Sequence, residues 1–282
     1  MNLSDINSIK KLLGNNGFSF KKSLGQNFLI NPDVCPAMAL AASDENTGVI
    51  EIGPGIGVLT EQLSKVSKKV VTIELDERLK NILPITLAEC KNVEVIFGDA
   101  MKLDLAGLIK EKFSDCKRIS VCANLPYYIT SPMIMYLLES SLPIDNITVM
   151  VQKEAAERLC AKVGSREAGA VTVAVSYYSK GEILFEVKRE AFMPSPNVDS
   201  AVIQLRIRKE PPVKVNNEEK FFSFVKACFA QRRKTLINTL ASAMGADKTK
   251  LRQILSELGL PETVRSEQLD MNLLAEISNR LN

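Results

Sequence analysis

Four short stretches of this 282-residue chain put polar or conformationally special residues where apolar runs end: EIGPGIGVL (51–59), TIELD (72–76), FGDAM (97–101) and ANLPYYITSP (123–132). Gly53, Gly55 and Gly57 fall between a strand-like run and a helical pattern. Residues without a Cβ there let the backbone approach a ligand and take φ > 0. A dinucleotide site of the G-x-G-x-x-G kind would need glycine at 58, where Val58 stands, and Pro54 lacks an N–H that a pyrophosphate could use. Glu74 ends the second run and can accept hydrogen bonds from both hydroxyls of a ribose. Asp99, followed by Ala100, ends the third and can accept from an adenine amino group. Singly, each acid reads equally well as a helix cap or a surface carboxylate. A glycine loop and two acids at successive strand ends together fit a nucleoside-bearing ligand held without phosphate contacts. S-adenosylmethionine is such a ligand.

A methyl donor requires a nucleophile beside it, and ANLPYYITSP suits one class. An exocyclic amine such as adenine N6 is a poor nucleophile because its lone pair is delocalised into the ring. Acceptors that grip its N–H groups localise that pair. Asn124 offers a side-chain carbonyl, and Leu125 and Pro126 offer backbone carbonyls on a chain stiffened by proline. Tyr127 offers a ring on which a base could stack, worth about 1–3 kcal/mol. Stacking needs the ring and not the hydroxyl, so phenylalanine at 127 is expected to recover most of what alanine there would lose. A strand-end turn with core tyrosines is the plainer reading of the same residues.

These groups need a frame. Short apolar runs at 48–52, 69–75, 93–97, 118–123 and 146–152 alternate with helical patterns, which implies parallel βαβ units. Their near-continuous Val and Ile content implies a sheet covered on both faces. Leu59, Leu63 and Val66 make one helical stripe directly after the glycine loop. EILFEV (182–187) and DSAVIQLRI (199–207) complete a seven-stranded, mostly parallel sheet. AVTVAVSYY (170–178) alternates like a strand. KEPPVKVNNEE (209–219) reads as a linker, and the periodicity of 218–243, 248–259 and 272–281 predicts a small all-α domain. The expected division is an α/β domain over 1–210 and a helical domain over 216–282.

Composition removes several chemistries. The chain has no histidine, and its six cysteines form no CxxC pair, so no metal site is expected and the thiols read as structural. The N-terminal stretch has no apolar signal core, and nothing approaches the ~20 apolar residues of a membrane helix. A cytoplasmic protein without membrane contact is expected. Net charge is only +3, yet residues 206–252 carry twelve Lys and Arg against four acids. The positive charge is therefore concentrated towards the C-terminus, either as a solvated face or as a nucleic-acid footprint.

In this order, KKSLGQNFL (21–29), EIGPGIG, IELD, GDA, NLPYYITSP, FMPSPNVDSAV (192–202) and FAQRRKTLINTL (229–240) closely resemble the ribosomal RNA adenine dimethyltransferases. The resemblance is nearest to the bacterial small-subunit enzymes. It implies a class I, Rossmann-like methyltransferase fold using S-adenosylmethionine, acting as a monomer on the small ribosomal subunit. Its reaction would place two methyls on N6 of each of two adjacent adenines in the 3′-terminal hairpin loop of 16S rRNA. It further implies that Asn27, Leu29, Gly53, Gly55, Gly57, Glu74, Asp99, Ala100 and Asn124 surround the cofactor. Asn124, Leu125, Pro126 and Tyr127 would grip the adenine, with Phe192 as a second aromatic wall. Arg232, Arg233 and Lys234 would contact RNA, and 168–178 would be a helix despite its alternation. Tyr128 departs from the smaller polar residue frequent at that position. Two other readings stand beside this one: a large-subunit methyltransferase of the macrolide-resistance type, and a ribosome-assembly factor whose catalysis is incidental.

Overall fold

The computed structural model describes residues 28–281 and the isolated Gly14. In chain order the elements are β1 (Phe28–Leu29), α1 (Val34–Ala42), β2 (Thr47–Ile52), α2 (Val58–Val66), β3 (Lys69–Glu74), α3 (Leu83–Thr86), β4 (Val93–Phe97) and α4 (Leu105–Lys112). They continue as β5 (Arg118–Asn124), α5 (Thr130–Glu139), β6 (Asn146–Gln152), α6 (Lys153–Leu159), α7 (Ala170–Tyr178), β7 (Ser179–Val187), β8 (Phe192–Met193) and β9 (Ser200–Ile207). Four helices follow: α8 (Glu218–Cys228), α9 (Leu236–Met244), α10 (Lys248–Glu257) and α11 (Met271–Leu281).

Seven strands form one sheet in the order β4-β3-β2-β5-β6-β9-β7. The pairs β2/β3, β3/β4, β2/β5 and β5/β6 are parallel, and β9 returns antiparallel to β6. Every residue of β2 is buried, as a strand covered on both faces should be. Gly48 in that strand is required by its neighbour, because a Cβ there would sit 2.3 Å from the Phe113 ring. The core beside the sheet joins Val34, Met38 and Ala39 of α1 to Leu59 and Leu63 of α2, the last two being positions of the anticipated stripe.

The chain divides into two compact units. One runs to Ala156 and resumes over Gly181–Ile207; the other takes Glu157–Lys180 and everything from Arg208 on. The expected boundary at 210 therefore misses a segment. Residues 170–178 are helical, as the resemblance implies and the alternation does not. Val173 and Tyr177 of α7 belong to the core made by Phe221, Phe224, Leu240 and Leu274 of the C-terminal helices. The hydroxyls of Tyr177 and Tyr178 both donate to the Glu218 carboxylate of α8, at 3.2 and 2.6 Å. Period-2 alternation misleads here because this helix is buried on more than one side, with Thr172, Val173, Ala174 and Val175 in a row all buried. Among the described residues no helix is long and apolar enough to cross a membrane.

Candidate functional site

The glycine turn is built by geometry that only glycine adopts freely. Gly53, Gly55 and Gly57 have φ of 73°, 57° and 91°, in the left-handed region that costs other residues about 1–2 kcal/mol each. Gly57 is also the residue from which α2 starts. The register then gathers the acids: Ile52 lies opposite Ile73 on β3 and Ala123 on β5, and Glu74 lies opposite Phe97 on β4. Gly53, Glu74 and Asn124 consequently share one edge of the sheet, at the carboxyl ends of neighbouring strands, where open α/β sheets bind ligands.

One cleft collects most of the expected residues. Leu29, Gly53, Gly55, Glu74, Asp99, Ala100, Asn124, Leu125, Pro126, Tyr127 and Phe192 all line it. Gly57 shapes the turn from outside the lining, and Asn27 lies outside the described residues. Among the described residues, the charged members of the lining are Glu51, Glu74, Asp76 and Asp99, with no Lys or Arg. Such a lining repels polyphosphates and suits a ligand that carries positive charge, as S-adenosylmethionine does on its sulfonium and amine.

Glu74 is 6% exposed and already partly engaged. Its Oε2 accepts from the Gly55 N–H at 3.1 Å and its Oε1 from the Asp76 N–H at 2.7 Å. Burial raises its pKa, and those two backbone donors oppose the rise. Each oxygen retains a lone pair, which is what a vicinal diol requires. Asp99 accepts from the Met101 N–H at 3.0 Å and sits 3.6 Å from the Lys102 ammonium.

The NLPYY segment differs from its expected geometry in one respect. The Pro126 carbonyl accepts from the Ile129 N–H at 3.1 Å and from the Thr130 hydroxyl at 3.4 Å. It closes the turn that leads into α5 and is thereby removed from the set of open acceptors. The Leu125 carbonyl and the Asn124 side-chain amide accept or donate no hydrogen bond among the described residues. Leu125 buries its side chain to 2% exposure, which leaves its backbone as the polar part presented to the cleft. Phe192 is 4% exposed and shares the core with Leu29, so only part of its ring faces the cleft. The β1/β8 ladder pairs Leu29 with Phe192, joining the N-terminal segment to that wall. Tyr128 is 57% exposed at the cleft, and Leu75 is exposed beside Glu74.

Among the lining residues that the sequence did not single out, Met38, Leu75 and Glu51 stand out. Met38 comes from α1, which carried no motif. Leu75 had one signal, an apolar residue directly after a strand-end acid. Glu51 is buried to 1% exposure, and neither of its oxygens has a hydrogen-bond partner among the described residues, nor do the hydroxyls of Thr60 and Thr72. Burial pushes its pKa up to about 7. Cys35 and Cys122 are buried near this carboxylate, and burial pushes both thiols up; all six cysteines are free.

A sequence model of one protein family, ribosomal RNA adenine dimethylase, matches residues 17–282. The chain belongs to the ribosomal RNA adenine dimethylase family. Among relatives in this family, the chain is 50% identical over 276 residues to the ribosomal RNA small subunit methyltransferase A of Geobacillus thermodenitrificans, covering 96% of this chain and 94% of that protein. It is 48% identical to the protein of the same name from Bacillus licheniformis, with the same coverage. Of solved structures, it is similar to a dimethyladenosine transferase from Plasmodium falciparum (TM-score 0.70, 27% identity, 89% of this chain and 95% of that one). It is also similar to the 23S rRNA methyltransferase ErmE (TM-score 0.69, 25% identity, 90% and 99%).

The basic triplet of this adenine dimethylase lies in the second unit. The helical reading of FAQRRKTL fails locally: α8 ends at Cys228 and α9 starts at Leu236, with Thr235 as its N-cap accepting from the Asn238 N–H. Arg232, Arg233 and Lys234 thus occupy a turn. The Arg232 guanidinium donates to the carbonyls of Arg166 and Ala168 at 2.8 and 3.0 Å, bracing the loop before α7. The side chains of Arg233 and Lys234 are exposed and make no ion pair or hydrogen bond among the described residues.

Proposed function

We propose that this chain transfers methyl groups from S-adenosylmethionine to N6 of two adjacent adenines in the 3′-terminal hairpin loop of 16S rRNA, two to each, during assembly of the small ribosomal subunit. One observation carries the reading: an open pair of acceptors, the Asn124 side chain and the Leu125 carbonyl, at the end of β5 beside a cleft whose described charged residues are all acidic. When bound, S-adenosylmethionine supplies a methyl made electrophilic by its sulfonium.

The chain's own groups do the rest. Gly53 and Gly55 admit the ligand against the backbone, Glu74 accepts from its ribose hydroxyls, and Asp99 with Ala100 meets its adenine. Leu29 and Leu75 enclose it with apolar surface. Asn124 and Leu125 each accept one N–H of the target amine, drawing its lone pair out of the ring as the nitrogen becomes tetrahedral. Pro126 holds the turn that aims them. Tyr127 and Phe192 hold the base between them. The chain has no histidine to act as base, and none is needed: the methylated amine is acidic and loses its proton to water. Arg233 and Lys234 contact rRNA phosphate. The enzyme works as a cytoplasmic monomer. Identities of 50% and 48% to small-subunit enzymes, against 25% to a 23S enzyme, support the small-subunit target.

The test is mass spectrometry of rRNA nucleosides after incubation of unmethylated small subunits with the chain and S-adenosylmethionine. Dimethyladenosine at the two hairpin positions is expected. A chain that binds the subunit and leaves both adenines unmethylated would be an assembly factor instead, and methylation of large-subunit rRNA alone would exchange the target.

A further inference from the structure

Tyr127 is more than a stacking surface. Its hydroxyl lies 3.0 Å from Oγ of Ser200, 73 positions away in the sequence. Ser200 opens β9, where its backbone lies opposite Gln152 at the end of β6, and the residue is 0% exposed. Its hydroxyl makes no other hydrogen bond among the described residues. A hydroxyl buried this deeply needs a partner, and Tyr127 is the one it has among the described residues. Burial raises the Tyr127 pKa and the Ser200 hydroxyl opposes the rise, which fits a neutral phenol in a hydrogen bond.

The position of the contact gives it a use. The torsion about Cα–Cβ has staggered alternatives with breadth within each, so a half-buried ring swings unless something holds its far end. A hydrogen bond at the para oxygen, which lies on the ring's own axis at the point farthest from the backbone, stops that swing and leaves rotation about the axis to the packing around the ring. Ser200 sits on a strand fixed in the sheet, whereas Tyr127 sits in the turn between β5 and α5. Resting on the adenine-methylating reading above, we propose that Ser200 is a positioning residue: through the Tyr127 hydroxyl it fixes the place of the ring on which the target base stacks beside Asn124 and Leu125. The second methyl transfer depends on this most. An unmethylated amine offers N–H groups to both acceptors, while a monomethylated amine has one left, so the placement of the ring carries more of the orientation.

A double-mutant cycle tests this: wild type, Ser200→Ala, Tyr127→Phe and the double variant, each in single-turnover methylation of small subunits with mono- and dimethyladenosine measured separately. Each single change is expected to slow the second transfer about tenfold, the size of one neutral hydrogen bond, and the first transfer less. Monomethyladenosine then accumulates while affinity for S-adenosylmethionine stays at the wild-type value. The double variant is expected to be no slower than either single one, because both remove the same hydrogen bond. Rate reductions that multiply in the double variant, or equal slowing of both transfers, overturn the proposal and leave Ser200 as a packing residue. A Tyr127→Phe enzyme with wild-type rates for both transfers overturns it as well. A wild-type chain that methylates no adenine overturns the function on which the inference rests, and the inference with it.

Discussion

Glu74 and Gly55, 19 residues apart, are joined by a 3.1 Å hydrogen bond from the glycine N–H to the carboxylate, so the acid at the end of β3 also holds the glycine turn after β2. Glu74→Ala should therefore act on S-adenosylmethionine in two ways. On the proposed role it removes the acceptors for the ribose, at about 1.5–3 kcal/mol for each charged hydrogen bond removed, and it frees the glycine turn. Glu74→Gln, which retains one carbonyl oxygen, should lose less. Titration calorimetry checks both, and an unaltered affinity in a folded Glu74→Ala protein would end the ribose assignment.

Of the basic turn, Arg232 is bonded within the fold, and Arg233 and Lys234 are proposed to contact rRNA. Replacing Arg233 and Lys234 should weaken binding to small subunits and lower the salt dependence of log K by about 0.7–0.9 for each phosphate that is no longer neutralised. Arg232→Ala should leave that slope alone. Its donors are committed to the carbonyls of Arg166 and Ala168, so its removal should lower the melting temperature of the C-terminal unit, at about 1 kcal/mol for exposed bonds of this kind. Filter binding across a salt series, beside thermal denaturation, separates them; equal slopes in all variants would remove Arg233 and Lys234 from the RNA interface.

Much of the cleft was legible because its residues sit where strands end, and strand ends are marked by abrupt changes of residue type. The run TIE followed by LD, or VIF followed by GD, fixes a carboxylate at the rim without any tertiary knowledge. What stayed hidden depends on contacts across the fold. Whether the Pro126 carbonyl is free depends on the turn that Ile129 closes, and Ser200 looks like any small residue opening a strand until the sheet brings it to Tyr127. The α7 segment shows the same limit: its alternation is a consequence of burial on several sides, which periodicity alone cannot distinguish from a strand.

Glu51 gives a pH signature of stability. In the unfolded chain it titrates at the ordinary carboxylate value of about 4.3, and in the fold burial pushes it up to about 7. Below the lower value both states carry the proton and the group is neutral towards stability. As pH rises between the two, the unfolded chain ionises first, so the folded state loses ground, and above about 7 the full penalty remains. Glu51→Gln removes that penalty. The variant's stability relative to wild type should thus rise with pH across this window and level off above it, by up to about 3 kcal/mol. Urea denaturation of both proteins at pH 5 and pH 8 measures it; a difference that does not change with pH would mean that Glu51 is ionised in the fold at both values.

The acceptor pair at the end of β5 makes the sharpest test of catalysis. Asn124 carries a side-chain amide with no partner among the described residues, and its backbone is fixed in the sheet opposite Met150, so truncation should leave the strand intact. If the side-chain carbonyl grips the target N–H, that bond strengthens as the nitrogen becomes tetrahedral and is worth most in the transition state. Asn124→Ala should then lower the rate of methyl transfer by about 100- to 1,000-fold, the usual effect of removing one preorganised polar group, while affinity for the small subunit changes little. Asn124→Asp should be impaired as well. It keeps an acceptor but adds charge to a cleft already lined by Glu51, Glu74, Asp76 and Asp99. Leu125 offers only its backbone, so Leu125→Ile should keep activity, and its effect should fall on stability through the buried side chain. Single-turnover rates together with subunit binding separate these cases: an Asn124→Ala protein whose binding collapses while its bound-state rate is preserved would mean that the residue holds the RNA and not the reacting amine.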